Sequence, residues 1–169
     1  MNTRDFAAFL EKFSSSAEAG DGDAFAACFT EDGIYHDYVY GDHQGRAEIS
    51  HMMSHQFHRD AGEDYRWEMF DPMCEGNMAY AWSLSTFTST VPEFAGQRVV
   101  IDGMSKFILE DGLIKDYRES VNGGVAMAQL GVHPDRLAKV CTKWGRLLEA
   151  QPETVDFLAQ EKGAWLKST

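Results

Sequence analysis

Residues 33 to 49 read GIYHDYVYGDHQGRAEI and set Tyr35, His36, Asp37, Tyr38 and Tyr40 together just ahead of a turn punctuated by Gly41 and Gly45. A strand that only filled a core would not use this mixture. A carboxylate can accept or return a proton, and a tyrosine can donate a hydrogen bond to a carbonyl or phenol oxygen from an otherwise apolar body. Side chains alternate along a strand, so Tyr35 and Asp37 share one face and His36 takes the other, reaching the first only if the strand is bulged. The same alternation late in the chain puts Leu113, Lys115, Tyr117, Glu119 and Val121 on one face. That adds a second carboxyl and another phenol.

The elements that must position these groups can be read from periodicity and punctuation. Phe6, Phe9, Leu10, Phe13 and Ala17 recur at helical spacing over residues 3 to 18, and Gly20 and Gly22 end the run. Asp23 can cap a short second helix whose Phe25 and Phe29 face inward, closed by the Glu31-Asp32-Gly33 turn. A short strand from Ile34 to Tyr38, a turn through Gly41 and Gly45, and a third helix from about Arg46 to His58 complete this half. From Tyr65 the pattern changes to long strands at 65–75, 77–90, 97–110 and 112–122, and Asp111-Gly112 suits a two-residue type I′ hairpin turn. Four antiparallel strands after three helices make an α+β plan, with helices against one face of a curved sheet. Beyond Gly124 two amphipathic helices are expected. One carries Leu137, Val140, Cys141, Trp144, Leu147 and Leu148, the other Val155, Phe157, Leu158, Trp165 and Leu166.

Bulk properties narrow the function. The 169 residues carry a net charge of −12, concentrated in the first 133, a surface that repels phosphates and makes nucleic acid and anionic membrane poor partners. No apolar run approaches membrane-spanning length and no signal-peptide pattern opens the chain, so a cytoplasmic location is expected. Cys28, Cys74 and Cys141 are odd in number and widely spaced, and are read as reduced and buried. His51, His55 and His58 gather on the side of the third helix opposite Ile49, Met52, Met53 and Phe57, which makes them a solvated face rather than a metal site. No phosphate loop, nucleophile elbow or nucleotide fingerprint occurs. The expected chemistry therefore uses neither cofactor nor metal.

The order of elements, with Gly-Asp-Gly-Asp-Ala-Phe at 20–25, Phe-Thr-Glu-Asp-Gly at 29–33, Gln-Gly-Arg-Ala-Glu-Ile at 44–49 and Phe-Ile-Leu-Glu-Asp-Gly-Leu-Ile at 107–114, resembles the SnoaL-like branch of the nuclear transport factor 2-like superfamily. The resemblance implies a cone-shaped curved antiparallel sheet whose three N-terminal helices enclose a largely apolar pocket. It covers roughly residues 4–128, within an expected domain at residues 1–130, and leaves 131–169 as a helical extension, packed on that domain or on a partner subunit. A homodimer is implied as well. Tyr35 and Asp37 fall where relatives that hydrolyse limonene epoxide hold a water-binding Tyr and Asn, and Asp37 is also near the general base of ketosteroid isomerases. Asp-Tyr-Arg-Glu at 116–119 resembles the Gly-Trp-Arg-Asp of the epoxide hydrolases, which places Glu119 at a catalytic acid position. Their Arg-x-Asp pair is replaced by Trp82 and Leu84, and the oxyanion-site Asp of the isomerases by Ser105.

On that alignment Asp37 and Glu119 meet in an apolar chamber rimmed by Tyr35, Tyr117, Trp82 and Phe107. Two neighbouring carboxyls in such a place resist double ionisation, so one stays protonated while the other accepts a proton. The expected catalytic set is Asp37, Glu119 and Tyr35. Tyr117, Trp82, Phe107, Tyr38 and His36 are the candidate substrate contacts. The expected function is cofactor-independent lyase, dehydratase or isomerase chemistry on an apolar, aromatic or polycyclic small molecule, such as a lignin-derived diaryl or polyketide-like compound. A non-catalytic binding or assembly domain and an epoxide hydrolase are the alternatives. In the bland reading Glu119 pairs with Arg66 or Arg118 and Asp37 merely supports its loop.

Overall fold

The computed structural model describes residues 1–37, 40–61 and 63–160, and the chain divides into two compact units, Met1–Gly131 and Val132–Thr169. Tyr38, Trp165 and Leu166 lie outside the described residues. Helix α1 (Thr3–Glu18) starts at Asn2, whose side chain accepts the Asp5 backbone N–H at 2.9 Å, and buries Phe6, Leu10, Phe13 and Ala17 along one stripe. Helix α2 (Gly22–Ala26) is capped by Asp21 rather than Asp23. Asp23 instead accepts the Ser50 hydroxyl at 2.8 Å, tying α2 to the next helix.

Strand β1 (Phe29–Asp37) begins five residues earlier than expected. Glu31-Asp32-Gly33 is not a turn but an irregular stretch inside the strand, lying between the Phe29–Ile114 and Ile34–Asp116 pairs. Gly33 is required there, because a Cβ would sit 2.8 Å from the Ile114 carbonyl oxygen. The segment read as a turn through Gly41 and Gly45 is strand β2 (Gly41–Gln44), paired antiparallel to β1. The third helix is α3 (Arg46–His51), continued by a π-helical stretch over Met52–Phe57 and by α4 (His58–Ala61). It crosses α2 so closely that a Cβ on Gly22 would lie 2.2 Å from Ser54 Oγ.

The remaining strands keep nearly their expected bounds: β3 (Glu63–Glu75), β4 (Met78–Thr88), β5 (Arg98–Glu110) and β6 (Leu113–Val121). Asp111 and Gly112 both take positive φ, 50° and 81°, as a type I′ turn demands. The six strands form a mixed sheet in the order β2-β1-β6-β5-β4-β3, antiparallel throughout except where β1 runs beside β6. The α+β cone plan expected from the sequence is the one the first unit adopts, with the curved sheet left open. Helix α5 (Gly123–Gln129) guards the edge of β5 beyond the reach of β6. There Gln129 bonds both backbone groups of Val100, at 2.7 and 3.0 Å.

The core lies between α1 and the inner face of the sheet. Phe13 packs on Phe25, Trp67, Phe107 and Tyr117 at ring separations of 4.6–5.8 Å, and Phe6 meets Phe107 edge-on at 5.1 Å. Each such ring, fully buried, contributes roughly 2–3 kcal/mol. In the second unit α6 (Pro134–Glu149) and α7 (Pro152–Ala159) both start on a proline, and neither buries a residue. Among the described residues no helix is long and apolar enough to cross a membrane. The three cysteines are free, but only Cys28 is buried; Cys74 is half-buried, and Cys141 is exposed on a helix that fully buries none of its residues.

Candidate active site

Strand register decides which side chains meet, since directly paired residues point to the same face. One row crosses the sheet as His43, Tyr35, Tyr117, Phe107 and Ala79. Tyr35 and Tyr117 stack at 4.7 Å and 30°, and Phe107 closes on Tyr117 at 5.0 Å. All three rings are essentially fully buried. The next row runs from Glu119 to Ser105 to Ala81. The pairs Tyr35–Tyr117 and His36–Arg118 carry the same register toward Asp37 and Glu119, one step further along the two parallel strands.

The two carboxyls are thus neighbours on the inner face, and Glu119 feels the charge of Asp37. Burial, then the charge of Asp37, pushes Glu119 up to about 8, while the Tyr117 hydrogen bond works in the opposite direction. Tyr117 donates to Glu119 Oε2 at 2.9 Å and lies 3.0 Å from Ser105 Oγ, so Ser105 is placed to donate in turn to the phenol oxygen. Asp37 is 9% exposed and accepts the Tyr40 backbone N–H at 2.6 Å. Of the groups in the bland reading, Arg66 bonds Glu68 and Arg118 bonds Asp116, while the Asp37 bond to the Tyr40 N–H fits its expectation that Asp37 supports the loop.

Three phenols face these acids. Burial first, and the charge of Glu119 second, raises Tyr35, Tyr65 and Tyr117 well above the ordinary phenol range. Tyr65 and Glu119 share a further property. Desolvation is the largest influence on each, yet each keeps some accessible surface. Both therefore sit at the margin of the buried layer rather than at its centre. The inward residues of the central strands beside them, Ala79, Ala81, Ser83, Gly103 and Ser105, are small and buried.

Three sequence expectations about side-chain direction are corrected. Trp82 lies on the outer face, 38% exposed, because the buried alternation of β4 falls on Ala79, Ala81 and Ser83; it packs against Phe70 at 5.1 Å and walls no inner site. His36 also points outward, held between Asp42 Oδ1 at 2.7 Å and Asp116 Oδ2 at 3.0 Å, since no bulge at that point turns it inward. Lys115 is displaced by the irregularity between Ile108 and Leu109, so Ile114 shares the face of Tyr117 while Lys115 pairs with Asp32. Tyr35, Asp37, Tyr117, Glu119 and Phe107 are gathered on one face; Tyr38 is outside the described residues.

Sequence reading passed over three inward polar residues. Tyr65 stood at the start of a strand and packs edge-on to Phe57 at 5.0 Å. Gln56 sits seven residues after Ile49, on the apolar stripe, which was the available signal. His43 required knowledge that 41–44 is a strand paired with β1. The histidines at 51, 55 and 58 are exposed. Among the described residues no three His, Cys, Asp or Glu side chains cluster as metal ligands.

A family model for the SnoaL-like domain matches residues 2–117. No curated protein matches the chain. Solved structures share its fold at low identity. A ketosteroid isomerase-like protein from Catenulispora acidiphila, in complex with trimethylamine, superposes with TM-score 0.65 at 16% identity, covering 75% of this chain and 95% of its own. An LEH-like epoxide hydrolase from M. tuberculosis gives 0.60 at 14%, covering 76% and 90%. A candidate SnoaL-like polyketide cyclase from Jannaschia sp. CCS1 gives 0.65 at 14%, covering 79% and 95%. The strand order, the inward acids and the family match together place this chain in the SnoaL-like domain family.

Proposed function

We propose that this protein is an enzyme of general acid-base type that eliminates, adds or rearranges groups on an apolar aromatic or polycyclic small molecule, without an organic cofactor. The observation that carries the reading is the pairing of Asp37 with a Glu119 that burial and Asp37 keep protonated up to about pH 8. Asp37 as carboxylate removes a proton from carbon or from a hydroxyl. Glu119 as neutral acid delivers one to the departing or accepting oxygen. Tyr117 bonds Glu119 Oε2, which leaves the acid proton on Oε1, and Tyr35 supports the pair through its stack on Tyr117. The inward residues of β4 carry no charge, so the Arg-x-Asp pair of the epoxide hydrolases has no counterpart there and a lyase, dehydratase or isomerase reaction is favoured.

The outer face supports a homodimer. Phe70, Trp82 and Met104 lie in register, and Trp82, Met104 and Tyr80 keep 38%, 50% and 40% of their surface. A continuous apolar stripe of that kind fits a second copy. Residues 1–130 then form the catalytic domain and 131–169 a helical extension.

The test is a screen of β-hydroxylated aromatic and diaryl compounds by mass spectrometry, scored for loss of water or formaldehyde, with Glu119→Gln and Asp37→Asn in parallel. A product formed by the wild type and slowed by about two orders of magnitude or more in either variant is expected. Equal rates in all three proteins would remove the acid-base reading.

A further inference from the structure

Tyr117 has one hydroxyl proton and two neighbours that could take it. Its oxygen lies 2.9 Å from Glu119 Oε2 and 3.0 Å from Ser105 Oγ, and both Ser105 and Tyr117 are 0% exposed, so bulk solvent completes neither bond. Strand register fixes the triangle. Ser105 on β5 stands directly opposite Glu119 on β6, and Phe107 opposite Tyr117, so the Tyr117 phenol reaches diagonally across to the Ser105 hydroxyl.

Donor counting then limits how the three groups can bond. A carboxylate only accepts, a phenol has a single O–H, and a serine hydroxyl has one O–H and two acceptor sites. When Glu119 is ionised, the Tyr117 proton goes to Oε2 in a charge-assisted bond, and the phenol oxygen is left to accept from Ser105. When Glu119 is neutral, two arrangements exist. In one the chain runs from Ser105 to Tyr117 to Oε2, with the acid proton on Oε1. In the other it runs backward, the acid donating from Oε2 to Tyr117 and Tyr117 donating to Ser105, which ties the acid proton between two oxygens of the protein. Only the first keeps every hydroxyl in place as the acid proton leaves, so no reorientation accompanies its transfer.

We propose that Ser105 is a positioning residue: by donating to the Tyr117 oxygen it directs the phenol proton to Glu119 Oε2 and keeps the transferable proton of that acid on Oε1. Burial first, and the Glu119 charge second, raises the Tyr117 phenol, whereas the Ser105 hydrogen bond lowers it and so makes Tyr117 the better donor to the carboxylate. The inference deepens the acid-base reading and rests on it for the use made of the proton, while the direction of the chain is measured without substrate.

The test follows the Glu119 side-chain carboxyl by carbon-13 NMR against pH in the full chain, in Ser105→Ala, in Tyr117→Phe and in the double variant. Ser105→Ala removes one buried oxygen and should raise the Glu119 midpoint by about 0.3–0.5 unit, because Tyr117 becomes a poorer donor to the carboxylate. The effect has to pass through the phenol. In the Tyr117→Phe background the same substitution should therefore move the midpoint by less than about 0.1 unit. Ser105→Cys, whose thiol is a weak donor, is the second variant should Ser105→Ala fold poorly, and it should give roughly half the rise. A lower midpoint in Ser105→Ala would mean that the chain runs backward, an unchanged one that Ser105 only fills space, and an equal rise without the Tyr117 hydroxyl that Ser105 acts on Glu119 directly; each overturns the proposal. Equal turnover by wild type and Glu119→Gln would instead remove the acid-base reading alone, since the Ser105 result stands on the titration.

Discussion

The two faces of strands β4 and β5 follow opposite rules. Inside stand Ala81, Ser83, Gly103 and Ser105; outside, on the intervening positions, stand Tyr80, Trp82 and Met104. A strand built for stability alone would put its bulk inward, where each large apolar side chain gains the most from leaving water. Here bulk is exposed and the inside is small. The exposed face makes sense if another surface covers it, and the small inner residues let the layer packed on the sheet approach closely enough to bury them. The row built on Tyr35, Tyr117 and Phe107 carries its bulk inward in the ordinary way, as do Leu109 and Ile114 beyond it, and it lies next to the acids.

That contrast can be broken at several points. The largest effect is expected on the inner face, where Glu119→Gln or Asp37→Asn should reduce kcat by about a hundredfold or more and leave the fold intact, checked by circular dichroism. Trp82→Lys on the outer face should leave kcat per folded active site within about twofold. Next comes pH. Glu119 acts as an acid only while protonated, so kcat/KM should fall about tenfold per unit above roughly pH 8. The sign for stability follows from linkage. The folded chain holds the Glu119 proton to higher pH than the unfolded chain, so its contribution is full at low pH and is lost as pH rises toward about 8. Glu119→Gln should therefore gain stability relative to wild type at alkaline pH, on the order of 3 kcal/mol between about pH 5 and pH 9 by urea melts.

On the outer face, Trp82→Lys should weaken self-association by about tenfold or more in sedimentation equilibrium, since a charge placed in an apolar contact is desolvated without a partner. A monomeric wild type would refute the reading of that face. The smallest effect sharpens the inner one. Tyr117→Phe removes the hydrogen bond that holds Glu119 down against the effect of burial, so the alkaline limb should move upward by about half a unit to one unit. A downward move would mean that Tyr117 does not donate to the carboxylate.

Much of this was legible before any coordinates. The four long strands and the Asp111-Gly112 turn announce themselves, because alternation and a dipeptide suited to positive φ are local properties. Helix α1 is equally plain from its spacing. The errors share one physical origin. Glu31-Asp32-Gly33 has the composition of a turn, yet pairing against β6 draws it into a strand as an irregularity. Trp82 reads as inner wall because an aromatic is expected inside, and the parity of a strand cannot be fixed from its own residues when both faces carry apolar groups.

The sequence by itself determined the repertoire: two carboxyls, several phenols, an acidic chain without a nucleotide or phosphate motif, and an α+β order of elements. Tertiary structure alone decided their company. The parallel pairing of β1 with β6 brings Asp37 to Glu119 across some eighty residues of chain, and that proximity with burial lifts Glu119 to about 8. The same pairing of β2 with β1 turns His43 inward, whereas His36, a single residue from Asp37, is turned out to Asp42 and Asp116. Alternation states that neighbours face opposite ways; only the packing of the other elements says which way is in.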